Sequence, residues 1–224
     1  MLRLLISVVR DAALYRPNNP RREAADAEYK ARRPAALERG RYRCVFCGWT
    51  SHSNECHHID GNHANNEDSN FAVVDTLCHG YQHLGQTAAQ SPYSADGMGV
   101  NTLLAAVPEL TGETMNLLQR AIGVALHDEK EAKVATIISK RLLARVRPVR
   151  EAFETFKPGD FAAAMCELTD EEYESRARVV KDLRLLFHAD VLKHEGARFK
   201  AEFPALPVSA WQDIYQHAQT RFAR

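Results

Sequence analysis

The stretch ECHHIDGNHANNEDSN, residues 55–70, carries three histidines and one cysteine and little from which to build a core. If ECHHID is a strand, its side chains alternate between two faces, and His57 and His58 point to opposite sides. DGNHANN that follows is turn sequence, because Asp, Gly and Asn adopt tight loop conformations. SNFAVVDTLCH then returns toward the first strand and runs into a helix that carries His79 and His83. Those two histidines, at i and i+4, share one helix face, the spacing used by two ligands of one ion. His57 completes a second, exposed site beside them.

The flanks of this hairpin hold the cysteines. RCVFCGW supplies Cys44-x2-Cys47, a knuckle from which two thiolates reach one ion. At the far end, DTLCHGYQH supplies Asp75-x2-Cys78, with a carboxylate where a second knuckle would carry a thiolate. A structural zinc site is expected from Cys44, Cys47, Cys78 and one of Asp75, His79 or His83, with Asp75 having the knuckle spacing. Cys166 stands alone, and Cys56, on the strand face of His58, reads as buried packing. His63 in the turn reads as solvent-facing, and Trp49 as packing over the metal loop.

The rest of the composition narrows the function classes. Lys+Arg and Asp+Glu balance at 29 each, so no global field draws the chain to nucleic acid or an anionic membrane. The segment 54–70 holds Glu55, Asp60, Glu67 and Asp68 and no Lys or Arg, which weighs against phosphate binding there. Basic runs lie at 32–43 and 139–150 and read as solvated helix faces. No apolar run approaches the roughly 20 residues that span a bilayer. MLRLLISVVRDAA begins like a signal peptide, but Arg10 and Asp11 interrupt it, and a first β-strand over LRLLISVV accounts for it better. Five cysteines, four of them clustered with histidines, fit metal binding in a reducing compartment, and a cytoplasmic location is expected.

Sequence character changes near residue 100. A charged helix is expected over 23–39, followed by the Cys/His module, whose core spans 41–84, and by a linker over 85–101 rich in Gly, Ser and Ala. From residue 101 to 224 the apolar spacing turns helical. Leu117, Leu118, Ile122, Leu126, Val134, Ile137, Ile138 and Leu142 read as a core stripe. Thr111 is expected to cap one helix, and Thr169 with Glu172 to form a capping box opening another across 169–196. Pro204, Pro207 and Ser209 introduce a last helix carrying Trp211. The fold class expected is α+β: a small zinc-stabilised ββα module over 1–100, with a mostly α-helical half over 101–224 packed on it.

His57-His58-Ile59-Asp60-Gly61-Asn62, with Asn65, Asn66, Asn70, Asp75, Cys78 and His79, resembles the HNH (ββα-metal) nuclease motif. That resemblance implies His58 as general base, Asn70 as the residue orienting the loop, and His57, His79 and His83 as ligands of Mg²⁺ or another divalent ion. His58, Asn70 and His79 would then be the catalytic set of an endonuclease that nicks or cleaves DNA. A wider resemblance covers nearly the whole chain. LRLLISVVRDAALYR, GRYRCVFCGW, HIDGNHANN and GMGVNTLLAAVPELTGETMNLL are together similar to the IcmJ/DotN family of type IVB secretion and conjugation systems. This resemblance implies a zinc-binding adaptor in the coupling complex at the inner membrane. Its partners would be the tail of the coupling ATPase and other coupling-complex proteins, and its role would be to support substrate recruitment. The HNH-like fold of that family acts as a scaffold, from which this chain departs by keeping His57, His58, Asn70 and His79.

Overall fold

The computed structural model describes residues 3–11, 13–14, 21–84, 102–152 and 158–203. The linker over 85–101 and the last helix with Trp211 fall outside these residues. The chain is α+β, with short antiparallel two-stranded sheets among its helices.

The ββα unit forms as its sequence directs. β1 (Glu55–His58) pairs antiparallel with β2 (Phe71–Val74) in a register that sets Glu55 opposite Val74 and His58 opposite Phe71. Gly61 turns the chain with φ of +73°, a conformation that favours glycine. Asn70 closes the loop: its side chain accepts from the Asp60 N–H and donates to Asp60 Oδ1 and the Asn65 carbonyl. α2 (Thr76–Gln82) leaves β2 directly. α1 (Arg22–Arg39) covers the other face of the hairpin, where Ala36 and Leu37 pack with Cys56 and Val73. Cys56 is therefore core, as its alternation indicates, and burial pushes its thiol up to about 11.

Residues 3–9 are not a sheet strand. They run extended through the core, burying Leu4, Ile6, Val8 and Val9, but their hydrogen bonds go elsewhere. Ser7 donates to the Tyr81 carbonyl and Leu84 to that of Ser7, while Val8 donates to the Tyr173 hydroxyl. Arg176 donates to the Ile6 carbonyl. The principal apolar cluster joins this segment and Cys44, Phe46, Cys78 and Tyr81 to Leu104, Met165 and Leu185 from the second half.

The second half departs from a pure helical bundle. LRLLF forms β4 (Leu183–Phe187), which pairs antiparallel with β3 (Thr102–Ala106). Its leucines satisfy helical and strand spacing equally over so short a run, and the pairing with β3 decides between them. The one helix expected over 169–196 is accordingly divided into α7 (Asp170–Glu174), α8 (Ala177–Val180), β4 and α9 (Ala189–Glu202), with α5 (Arg147–Ala152) and α6 (Pro158–Cys166) preceding it. The expected caps form: Thr111 accepts from the Thr114 N–H, and Thr169 with Glu172 makes the reciprocal capping box.

The expected core stripe of α3 (Gly112–Ala125) and α4 (Glu131–Ala144) forms in part, with Leu118, Ile122, Leu126, Ile138 and Leu142 packed around Leu77 and Leu192. Leu117, Val134 and Ile137 are exposed, while Met115, Asn116, Gln119, Arg120 and Ile122 face inward. Two glycines allow α3 to cross α9 closely. A Cβ on Gly123 would stand 2.1 Å from the Leu192 carbonyl oxygen, and one on Gly196 would stand 2.2 Å from Gly123 backbone.

Candidate metal centres

Two groups of ligand-bearing side chains form around β1 and α2. In the first, the sulfurs of Cys44, Cys47 and Cys78 all lie within 4.8 Å of one another. The knuckle that carries the first two depends on Gly48, whose φ is +73° and whose N–H donates to the Cys44 carbonyl. Asn54 staples the knuckle shut by donating its side-chain amide to the carbonyls of Tyr42 and Trp49. Cys78 arrives from the first turn of α2, and Asn116 of α3 donates to its sulfur at 3.3 Å. Three thiols this close do not ionise independently. Donation from Cys47 and Cys78 favours the Cys44 thiolate, whereas Cys44 and Cys47 oppose ionisation of Cys78. A cation among them removes that opposition, so this largely buried soft donor set suits a thiophilic divalent ion.

Asp75 stands apart from this group. One carboxylate oxygen accepts from the N–H groups of Leu77 and Cys78 and so caps α2. The other is ion-paired with Arg120, and both side chains are buried. The role expected of Asp75, fourth ligand, is replaced here by a helix cap and a buried ion pair, because its position just before α2 points it at free N–H groups. Arg120 in turn lies 4.5 Å over the Trp49 ring. Burial lowers the Arg120 pKa, and the nearby Cys47, Glu195 and Cys44 oppose that shift.

The second group is His57, His79 and His83, whose ligand nitrogens also lie within 4.8 Å of one another. His57 looks inward from β1, and the other two rise from α2 and its C-terminal cap, with ring centroids 4.7–5.2 Å apart. His79 Nδ1 is 2.5 Å from Glu55 Oε2. Burial, then the adjacent His79, holds the His57 pKa down at about 3, so this ring is neutral and keeps a lone pair for a cation. Burial raises the Glu55 carboxyl, but electrostatic attraction to the His79 ring and the hydrogen bond between them outweigh that and hold it at about 2.

His58 is turned away from this cluster. It packs against Tyr29 of α1, His63 and Phe71, with ring centroids 5.1–5.5 Å away. Its Nε2 lies 2.9 Å from Asn66 Oδ1, and the Asn66 amide donates to the Ala25 carbonyl and Glu28. Asn66 is thereby oriented as an acceptor, so Nε2 of His58 carries the proton and Nδ1 the lone pair. Burial lowers the His58 pKa. His58, Asn70 and His79 therefore occupy three distinct settings: the α1 face, the loop and the histidine cluster. His63, expected in solvent, is buried with its Nε2 at 2.7 Å from Asp26. The turn folds back under α1, which spacing along the chain does not reveal.

A scan against protein-family models returns no match. Over most of its length, however, the sequence is similar to the type 4 apparatus protein DotN of Legionella pneumophila. The two are 26% identical over 193 residues, covering 84% of each chain. This similarity supports the resemblance to the IcmJ/DotN family. The features of this chain that spacing alone did not reveal are Asn116, Gln119 and Arg120. They form a buried polar face on α3 that reaches the Cys78 sulfur, the Leu185 carbonyl and Asp75. Polar residues at i, i+3 and i+4 inside an otherwise apolar helix were the available signal. Glu202 and Arg198 of α9 were missed as well. Glu202 accepts from Ser51 Oγ and the His52 N–H, and Arg198 donates to the Ser53 carbonyl, clamping α9 onto the loop behind the knuckle.

Proposed function

We propose that the chain is a metal-stabilised adaptor of a type IVB secretion or conjugation apparatus. In this role it works in the cytoplasm, peripheral to the inner membrane, and holds a segment of the coupling ATPase while supporting substrate recruitment. The observation that carries this reading is the similarity to the type 4 apparatus protein DotN over 84% of both chains. Zinc is the ion proposed for the Cys44, Cys47 and Cys78 group, where it would cross-link the knuckle to α2. Consistent with a peripheral protein, none of the described helices is long and apolar enough to cross a membrane. The chain's own residues set the geometry: Asn54 closes the knuckle, Asp75 and Arg120 fix the start of α2, and Asn116 steadies the Cys78 sulfur. Co-purification of the tagged chain with the coupling ATPase tail of its own host tests the reading. Retention of the tail supports it, and failure to retain any coupling-complex protein rejects it.

A second reading, a metal-dependent HNH endonuclease, is favoured by one observation, the gathering of His57, His79 and His83. A divalent ion there would polarise a phosphate and stabilise the leaving oxygen. The proton acceptor of this reading is Nδ1 of His58, the nitrogen left free by Asn66. Nicking of supercoiled plasmid with Mg²⁺, Mn²⁺ or Ni²⁺ is the expected activity. No nicking, or equal nicking by His58→Ala, removes this reading and leaves the adaptor intact.

A further inference from the structure

Glu55 begins β1, and its side chain crosses to α2, where it meets His79 Nδ1 at 2.5 Å. An ionised carboxylate can only accept a hydrogen bond, so Nδ1 of His79 carries the proton in this pair. The lone pair of His79 is then confined to Nε2. On the neighbouring ring, Nδ1 of His57 is buried and has no hydrogen-bond partner among the described residues. A buried ring nitrogen without a partner is costly unless a cation or water satisfies it. Glu55 is not one of the grouped ligands; the compact set is the three imidazoles alone.

From this geometry we infer that Glu55 is a positioning residue of a second metal site, at His57, His79 and His83. Its carboxylate fixes His79 in the tautomer that presents Nε2, and it adds a negative charge just outside the ligands. A carboxylate that orients a ligating histidine also raises its basicity, and losing such a partner weakens metal binding by about 10–100-fold. Three imidazoles favour a late first-row divalent ion such as Co²⁺, Ni²⁺ or Zn²⁺ over Mg²⁺, which takes oxygen ligands. The inference rests on the histidine cluster of the endonuclease reading as an ion site, and it requires neither nuclease activity nor the adaptor role.

Co²⁺ titration of the full chain, followed by calorimetry and absorption, tests it. The thiol group reports through a thiolate-to-cobalt charge-transfer band, and the histidine group binds without one. The parent chain is expected to bind two equivalents, only one of which gives that band. Glu55→Leu should weaken the band-silent equivalent about 10–100-fold and leave the other unchanged. Glu55→Gln, which keeps an acceptor but loses the charge, should fall between the two. If Glu55→Leu binds the silent equivalent as tightly as the parent, or weakens both equivalents alike, the positioning role is overturned while the site stands. If the parent binds no silent equivalent, the site itself is overturned, and the role of Glu55 with it.

Discussion

Asp75 shows how a fold can divert one side chain from the role its spacing suggests. Its place three residues before Cys78 fits a knuckle, yet its oxygens serve the α2 N–H groups and Arg120. An isolated buried charge is strongly unfavourable, so removing one member of this pair is far costlier than the net worth of the pair. Arg120→Leu should lower stability by about 3–5 kcal/mol in urea unfolding, because it leaves the Asp75 carboxylate buried without its cation. Titration of the histidines gives a second expectation at this scale. The unfolded chain binds protons near the ordinary histidine pKa of about 6.5. The folded chain holds His57 at about 3, and His58 below its usual value. The stability their neutral forms contribute is thus complete above about pH 6.5 and is lost as the pH falls toward 3. Urea midpoints of chelator-treated protein should fall between pH 7.5 and pH 5, and a flat profile across that window would contradict the burial of these two rings.

Among the elements, α3 and α9 cross closely through Gly123 and Gly196. Backbone stands where a side chain would go, so relief requires the helices to separate rather than a rotamer to change. Gly123→Ala should destabilise the chain by about 1–3 kcal/mol or more, despite the better helix propensity of alanine. Thermal melting measures it, and a neutral or stabilised variant would show that the crossing is looser. Sequence was an accurate guide to elements wherever the signal was local. The helix expected over 23–39 forms as Arg22–Arg39, and Thr111 and Thr169 cap as their neighbours indicate. It was a poor guide to β4, because four apolar residues in LRLLF suit a helix or a strand until β3 lies beside them. Residues 3–9 show the same limit: extended and apolar, but bonded to Tyr81, Tyr173 and Arg176 rather than to a strand.

Across the whole molecule, the thiol group joins three parts: the knuckle after α1, the start of α2 and, through Asn116, the polar face of α3. The main apolar cluster includes Cys44 and Cys78 and spans both halves of the chain, so loosening the thiol group disturbs more than the knuckle. Cys78→Ser should therefore lose one equivalent of bound metal and melt at a lower temperature, as metal-linked folding requires. Cys166→Ser, which is not one of the grouped ligands, should keep its full metal content. Elemental analysis and calorimetry of the purified chains check both. A Cys78→Ser chain that keeps its full metal content would remove Cys78 from the ligands.

By itself the sequence determined whatever depends on near neighbours. That includes the helix caps, the glycine turns at 48 and 61, the strand alternation that separates His57 from His58, and the i, i+4 pairing of His79 with His83. Tertiary structure alone decided that Asp75 meets Arg120, that Glu55 holds His79, that His63 is buried on Asp26, and that α3 turns Asn116, Gln119 and Arg120 inward. Each of these is a contact between residues 24 or more positions apart, or follows from such contacts. Spacing along the chain fixes which face of an element a residue occupies, but only packing fixes what that face meets.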